Sequence, residues 1–289
     1  MSQDSWRNAF HLMPVTGTID RVDGFCQRDG SYMVDAHQTL AGSASRPVRF
    51  SSHNLIHWSV ERNPQPEPTA DDPQVPAAMP GELVDYGFDF SSPQEFVDDE
   101  GRTLAIALMR TPDTPYVNTR GGLKWENCLT IPRQVGRAED GSVTQLPVEE
   151  LAELHTFEAS MDPHAGGLFR SHRADIRLQG ITGEKFTVVL DEELYVRHRE
   201  GVLYLGFRGP NPHTVGGGRT EVGAPIGHVD DLRIVVDESA VELFANGGRY
   251  AFATRWFPLT KTMLVRMNVD AAFARGWGMA DGVSDTYRG

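Results

Sequence analysis

Short apolar runs broken by turn residues recur along the whole chain, and this pattern restricts the fold more than any other feature. Thr103–Leu108, Phe186–Leu190, Val202–Phe207 and Leu232–Val236 are rich in β-branched, aromatic and aliphatic side chains. Runs of that length and make-up favour strands over helices. Between such runs stand Arg28-Asp29-Gly30, Asp99-Glu100-Gly101, Glu139-Asp140-Gly141 and Ala245-Asn246-Gly247-Gly248. Asp-Gly and Asn-Gly pairs supply the positive φ that tight hairpins need. Only Val148 to Thr156 suits a short helical turn. The pattern predicts an all-β protein.

One segment breaks the rhythm. Residues 63–81 carry Pro64, Pro66, Pro68, Pro73, Pro76 and Pro80 with acidic residues between them. Proline cannot donate to a strand ladder, so a junction is expected there. A second change, from strand-like to polar turn sequence, falls near Gly136 to Pro147. Two regions are predicted: 1–145, with the proline-rich junction at 63–81 inside it, and 146–289, a continuous strand-rich β-sandwich.

Composition narrows the function classes. With 39% apolar residues among 289, a sizeable core is available. No apolar run approaches the roughly 18 residues of a spanning helix, so no membrane insertion is expected. The opening Met1–Arg7 lacks a basic stretch followed by an apolar one, which predicts a cytoplasmic protein. The net charge of −13 argues against nucleic acid and anionic lipid as partners. Neutral ligands such as sugars meet no such penalty. Cys26 and Cys128 are expected to be buried free thiols, since two cysteines build neither a disulfide scaffold nor a four-cysteine zinc site.

Several isolated signals carry little. His53 and His57 are spaced as a helical metal pair, yet no glutamate or amphipathic helix accompanies them, and a polar turn is expected. Gly216-Gly217-Gly218 lacks the Gly-Lys-Ser/Thr ending of a phosphate loop. No metal or cofactor is predicted. Trp125, Trp256, Trp277, Phe244 and Phe257 are expected mainly in the core, although aromatic faces also stack on sugars. Asp98-Asp99-Glu100 reads as a solvated turn.

Glycoside hydrolysis needs two carboxylates across the scissile bond. With 40 acidic residues, only motifs can select a pair. Six stretches in order provide them: Phe10-His11-Leu12-Met13-Pro14, Ser52–Trp58, Asp85–Gln94, Asp98–Arg102, Cys128-Leu129-Thr130-Ile131-Pro132-Arg133 and Val235–Gly248. Together they resemble glycoside hydrolase family 32, the invertases, levanases and other β-fructofuranosidases. The resemblance implies a five-bladed β-propeller followed by a β-sandwich. It also implies an Asp nucleophile and a Glu acid/base around a fructosyl unit at the propeller axis, with sucrose or a fructan as ligand.

Departures from the family pattern fall at the chemistry. The nucleophile belongs in Trp-x-Asn-Asp-Pro-Asn-Gly, and the matching stretch is Thr18-Ile19-Asp20-Arg21-Val22-Asp23-Gly24. Anchored on Gly24, the nucleophile position is Arg21. Asp20 falls one residue early and Asp23 two late, which makes them the candidate catalytic residues; a one-residue bulge would bring Asp20 into place. The Arg-Asp-Pro and Glu-Cys motifs of the central blades are absent. An acid would have to come from a partner chain or from a residue such as Glu95 or Glu126. Asp89, Gln94 and Trp125 are the candidate sugar-binding residues.

Propellers close with about 4 to 8 four-stranded blades. The first region is long enough for only about two to three blades. The expected fold is therefore an incomplete two- to three-blade β-propeller fragment followed by a C-terminal β-sandwich. Open strand edges recruit other strands, so a homo-oligomer is expected through them. The function implied is that of the β-fructofuranosidase lineage with catalysis lost or much reduced. The alternative is a non-catalytic carbohydrate-binding or oligomerisation module.

Overall fold

The computed structural model describes residues 6–62, 64, 83–112, 124–208 and 216–283. The proline-rich junction, Pro64 apart, lies outside them. The chain is a partial β-propeller followed by a β-sandwich. The one helical element in the expected turn region is a 3-10 helix at Glu149–Leu154.

The first blade contains β1 (Gly17–Arg28), β2 (Ser31–Thr39), β3 (Arg46–Ser52) and β4 (Ser59–Arg62), with the short β7 (Trp125–Glu126) added to β1. Its sheet order is β4-β3-β2-β1-β7. The second blade orders β10 (Val143–Pro147), β9 (Arg133–Arg137), β6 (Thr103–Met109) and β5 (Phe90–Val97), and β8 (Cys128–Leu129) pairs with β6. The sequence explains these choices. β2 alternates between buried and half-buried positions, with Tyr32, Val34 and Ala36 inward. Such alternation fits a sheet with one covered face. β6 is buried at all seven positions, as its continuous apolar run requires. Asp29 and Gly30 take φ of 49° and 73° between β1 and β2, the backbone that Asp-Gly hairpins favour. Ile19, Val22, Phe25 and Phe50 of one blade share a core with Leu104, Ile106 and Leu108 of the other. Each such side chain stabilises the fold by about 1.5–3 kcal/mol when fully buried.

The sandwich has two six-stranded sheets. One orders β11 (His155–Ala159), β22 (Ala271–Met279), β13 (Arg173–Ile181), β18 (Asp231–Asp237), β19 (Ala240–Ala245) and β20 (Tyr250–Arg255). The other orders β12 (Gly166–Phe169), β21 (Met263–Asn268), β14 (Phe186–Leu190), β15 (Leu194–Arg199), β16 (Val202–Phe207) and β17 (Glu221–Pro225). Ile176, Ile234 and Leu243 meet Val188, Val196, Leu205 and Val265 between them.

Three local expectations need correction. Cys26 is half-buried rather than buried, although neither cysteine forms a disulfide. Trp277 is half-buried and stacked on His155, because β22 turns its ring outward, whereas the other four aromatics singled out are in the core. Asp98 is buried, not solvated. Its carboxylate folds back on its own turn to accept from the Glu100 and Arg102 amides at 3.1 and 2.8 Å and from Arg102 Nε at 2.8 Å. Short acidic side chains satisfy turn amides in this way.

Candidate functional site

Two β-bulges in β1 govern the geometry. Ile19 pairs with Gln38 and Arg21 with His37, so Asp20 is an extra residue without a partner. Val22 pairs with Ala36 and Gly24 with Asp35, so Asp23 is the second extra residue. Bulges re-aim side chains and are common beside active sites. Asp20 accepts from Thr39 Oγ1 at 2.5 Å and from Ser45 Oγ at 3.1 Å. Asp23 accepts from Arg21 Nε at 2.6 Å and pairs through its other oxygen with His37 Nδ1. Arg21, the residue that the motif alignment sets at the nucleophile position, thus pairs with the neighbouring carboxylate, while the bulge displaces Asp20 from that alignment.

A third carboxylate joins this end of β1. The parallel pairing of β1 with β7 sets Thr18 beside Glu126, and Thr18 Oγ1 donates to Glu126 at 3.2 Å. Thr18 also lies directly opposite Thr39. Two facing threonine hydroxyls therefore hold Asp20 and Glu126 at the same end of the blade.

The other candidates lie apart from that group. Asp89 is buried and faces the sandwich, accepting from the Arg255 amide at 2.7 Å and Thr254 Oγ1 at 3.2 Å, and pairing with Arg219. Burial raises its carboxyl pKa, against the opposing charge of Arg219. Gln94 is half-buried on β5 just beyond a bulge, opposite Ile106, and Glu95 follows opposite Ala105. Trp125 is buried, with the Arg255 guanidinium 5.9 Å from its ring centroid, so its faces belong to the protein interior.

A network that sequence reading did not assemble fixes the blades to the sandwich. His11 is fully buried, with Nδ1 2.9 Å from Asp237 and Nε2 3.0 Å from Glu242. Asp237 also accepts from the amides of Ala9, Phe10 and His11 at 2.7–2.8 Å. Glu242 accepts from the Ile131 amide at 2.7 Å and from Arg133 Nε and Nη2 at 2.9 and 2.5 Å. Arg133 reaches on to Asp85 at 3.0 Å. Burial alone would lower the His11 pKa, but its bonds to Asp237 and Glu242 outweigh burial and raise it. Burial would raise both carboxyls, yet His11 holds Asp237 low and Arg133 with His11 holds Glu242 low. Every member is paired, so the arrangement serves docking rather than proton transfer to a ligand. His11, Arg133 and Glu242 each belong to a motif stretch quoted above, and that shared membership was the available signal. Among the described residues, no group of three or more His, Cys, Asp or Glu is placed to hold a metal.

Propeller blades docked on a β-sandwich make up the described architecture. The family descriptions that match are the Glycosyl hydrolases family 32 N-terminal domain over residues 69–147 and the Glycosyl hydrolases family 32 C terminal over residues 211–275. These matches support a glycoside hydrolase family 32 assignment for the chain. It is 30% identical over 198 residues to a sucrose-6-phosphate hydrolase of Staphylococcus xylosus, covering 60% of this chain and 38% of that one. It is 31% identical over 193 residues to a raffinose invertase of Escherichia coli, covering 61% and 38%. The matched stretch is thus under two fifths of the length of either relative. Among solved structures it resembles the Bombyx mori GH32 beta-fructofuranosidase, with a TM-score of 0.75 and 14% identity, covering 97% of this chain and 95% of that one. That likeness concerns the fold. No helix among the described residues is long and apolar enough to cross a membrane.

Proposed function

We propose that this chain is a family 32 protein of the β-fructofuranosidase lineage that binds sucrose or a short fructan at the Asp20 end of β1 and hydrolyses it weakly or not at all. One observation carries the reading. On the motif alignment the nucleophile position falls to Arg21, whose guanidinium pairs with Asp23, while the bulged Asp20 is tied to the Thr39 and Ser45 hydroxyls instead of standing free. Losing a nucleophile or an acid costs several powers of ten in rate. Asp20, held by two hydroxyls, and Glu126, held by a third, remain able to hydrogen-bond sugar hydroxyls. The names of the relatives, hydrolases and invertases of sucrose-type sugars, support the ligand class. Asp89, Gln94 and Trp125 act in this reading by shaping the second blade and its seam rather than by direct contact with sugar. We assign the ligand-holding unit to 1–145 and the bracing sandwich to 146–289, in a cytoplasmic protein without nucleic-acid partners.

A second role is favoured by the outer strand β4, which ends the first blade's sheet with one side unpaired within the described chain. Self-association through that edge gives a homo-oligomer. Calorimetric titration with sucrose and short inulin tests the principal reading. Saturable binding, weakened at least tenfold by Asp20→Ala, is expected. Heat indistinguishable from dilution for every sugar sinks it.

A further inference from the structure

We propose that the far end of the first blade carries a separate pocket for one neutral sugar or polyol unit, read by His53 and His57. A cavity of about 180 Å3 opens there, where the turn after β1 meets the turn after β3. It is lined by Ser31, Ser51, Ser52 and Ser59, the two histidines and the buried Trp58. Pockets for drug-sized ligands begin near 300 Å3, so this one suits a single small ring or chain.

The two imidazoles are set in opposite senses. Asn54 Oδ1 accepts from the amides of Ile56 and His57 at 3.4 and 3.0 Å, which turns its NH2 group toward His57. Asn54 Nδ2 then donates to His57 Nδ1 at 3.0 Å. A neutral His57 must therefore carry its proton on Nε2. His53 Nδ1 lies 3.4 Å from the Gly30 carbonyl, which only accepts, and 3.1 Å from Ser31 Oγ. Its proton belongs on Nδ1, leaving Nε2 as an acceptor. Both rings are exposed, and neither Nε2 has a partner among the described residues. Leu55, held between them at φ 63°, adopts a conformation that a bulky residue keeps only where its surroundings enforce it.

One ring donor and one ring acceptor match a ligand whose own hydroxyls do both. A chelated cation needs a lone pair from each ring, which the His57 tautomer withholds. A phosphate needs fixed positive charge, which these walls lack. The carbon edges of the two exposed imidazoles suit the C–H faces of a sugar. The pocket lies roughly 25 Å from Asp20 along β2, so it is independent of the site proposed above.

The test follows histidine ring nitrogens by NMR during titration of the whole chain with fructose, glucose and sorbitol, and separately with inorganic phosphate and zinc. At least one neutral compound should shift the His53 and His57 signals saturably. His57→Phe and Ser31→Ala should each weaken that binding about tenfold, while Asp20→Ala leaves it unchanged. Shifts produced only by zinc or phosphate overturn the proposal, as does binding that Asp20→Ala abolishes and His57→Phe spares. Absence of any shift with all three neutral compounds overturns it as well, whatever the sugar calorimetry of the Asp20 site gives.

Discussion

At the scale of single residues, the strongest commitments in this protein are electrostatic. His11, Asp237, Glu242, Arg133 and Asp85 have left water together and are tolerable only as a complete set. Removing one partner of a buried pair typically costs about 3–5 kcal/mol, because the other charge stays buried. The His11 pKa is raised on folding. Its contribution is therefore complete below about 6.5, the unfolded value, and is lost as pH rises through the folded one. Asp237 and Glu242 are depressed, so their contribution is complete above about 4.3 and is lost as pH falls through their folded values. His11→Asn should cost about 3 kcal/mol or more near pH 6 in denaturant melts. The gap from the unsubstituted protein should narrow as pH rises. A gap that widens toward alkaline pH contradicts this account of His11. The sequence motifs contained His11, Arg133 and Glu242, but not their meeting. His11 and Glu242 are separated by most of the chain, and only the docked fold brings them to 3.0 Å.

Among the elements, the strands were legible and their irregularities were not. Short apolar runs and Asp-Gly turns are local signals, and they mark β2, β6 and the hairpins directly. The bulges at Asp20 and Asp23 depend on the register of β2 against β1, which no residue of β1 encodes alone. The same limit hid the role of the Asp85–Asp89 segment. It runs along β20, where Asp85 accepts from the Ala253 amide at 2.8 Å and the Asp89 amide donates to the Ala253 carbonyl at 3.2 Å. Gly87 lies so close to that strand that an added Cβ would stand 2.1 Å from the Ala253 carbonyl oxygen. Gly87→Ala must therefore push the segment off the sandwich, at a cost of about 1–3 kcal/mol. Chemical denaturation checks it, and an unchanged midpoint would count against the seam as drawn.

At the scale of the whole molecule, the described residues form two blade sheets where a closed propeller needs about four or more. The edges this leaves are unequal. The Gln145 amide on β10 donates to the Gly248 carbonyl of the β19–β20 hairpin at 2.8 Å, so the sandwich covers that side. β4 has no comparable cover among the described residues, and its Glu61 and Arg62 put charge on the edge. Sedimentation at micromolar concentration should show a dimer or larger species, and a compact monomer at all concentrations would exclude assembly through β4. The most direct measurement is of fructose released from sucrose, inulin and levan by the purified chain. Release at or near background, the same in Asp20→Ala and Asp23→Ala, is the outcome that the proposed function predicts. Rapid turnover that either substitution abolishes would contradict it.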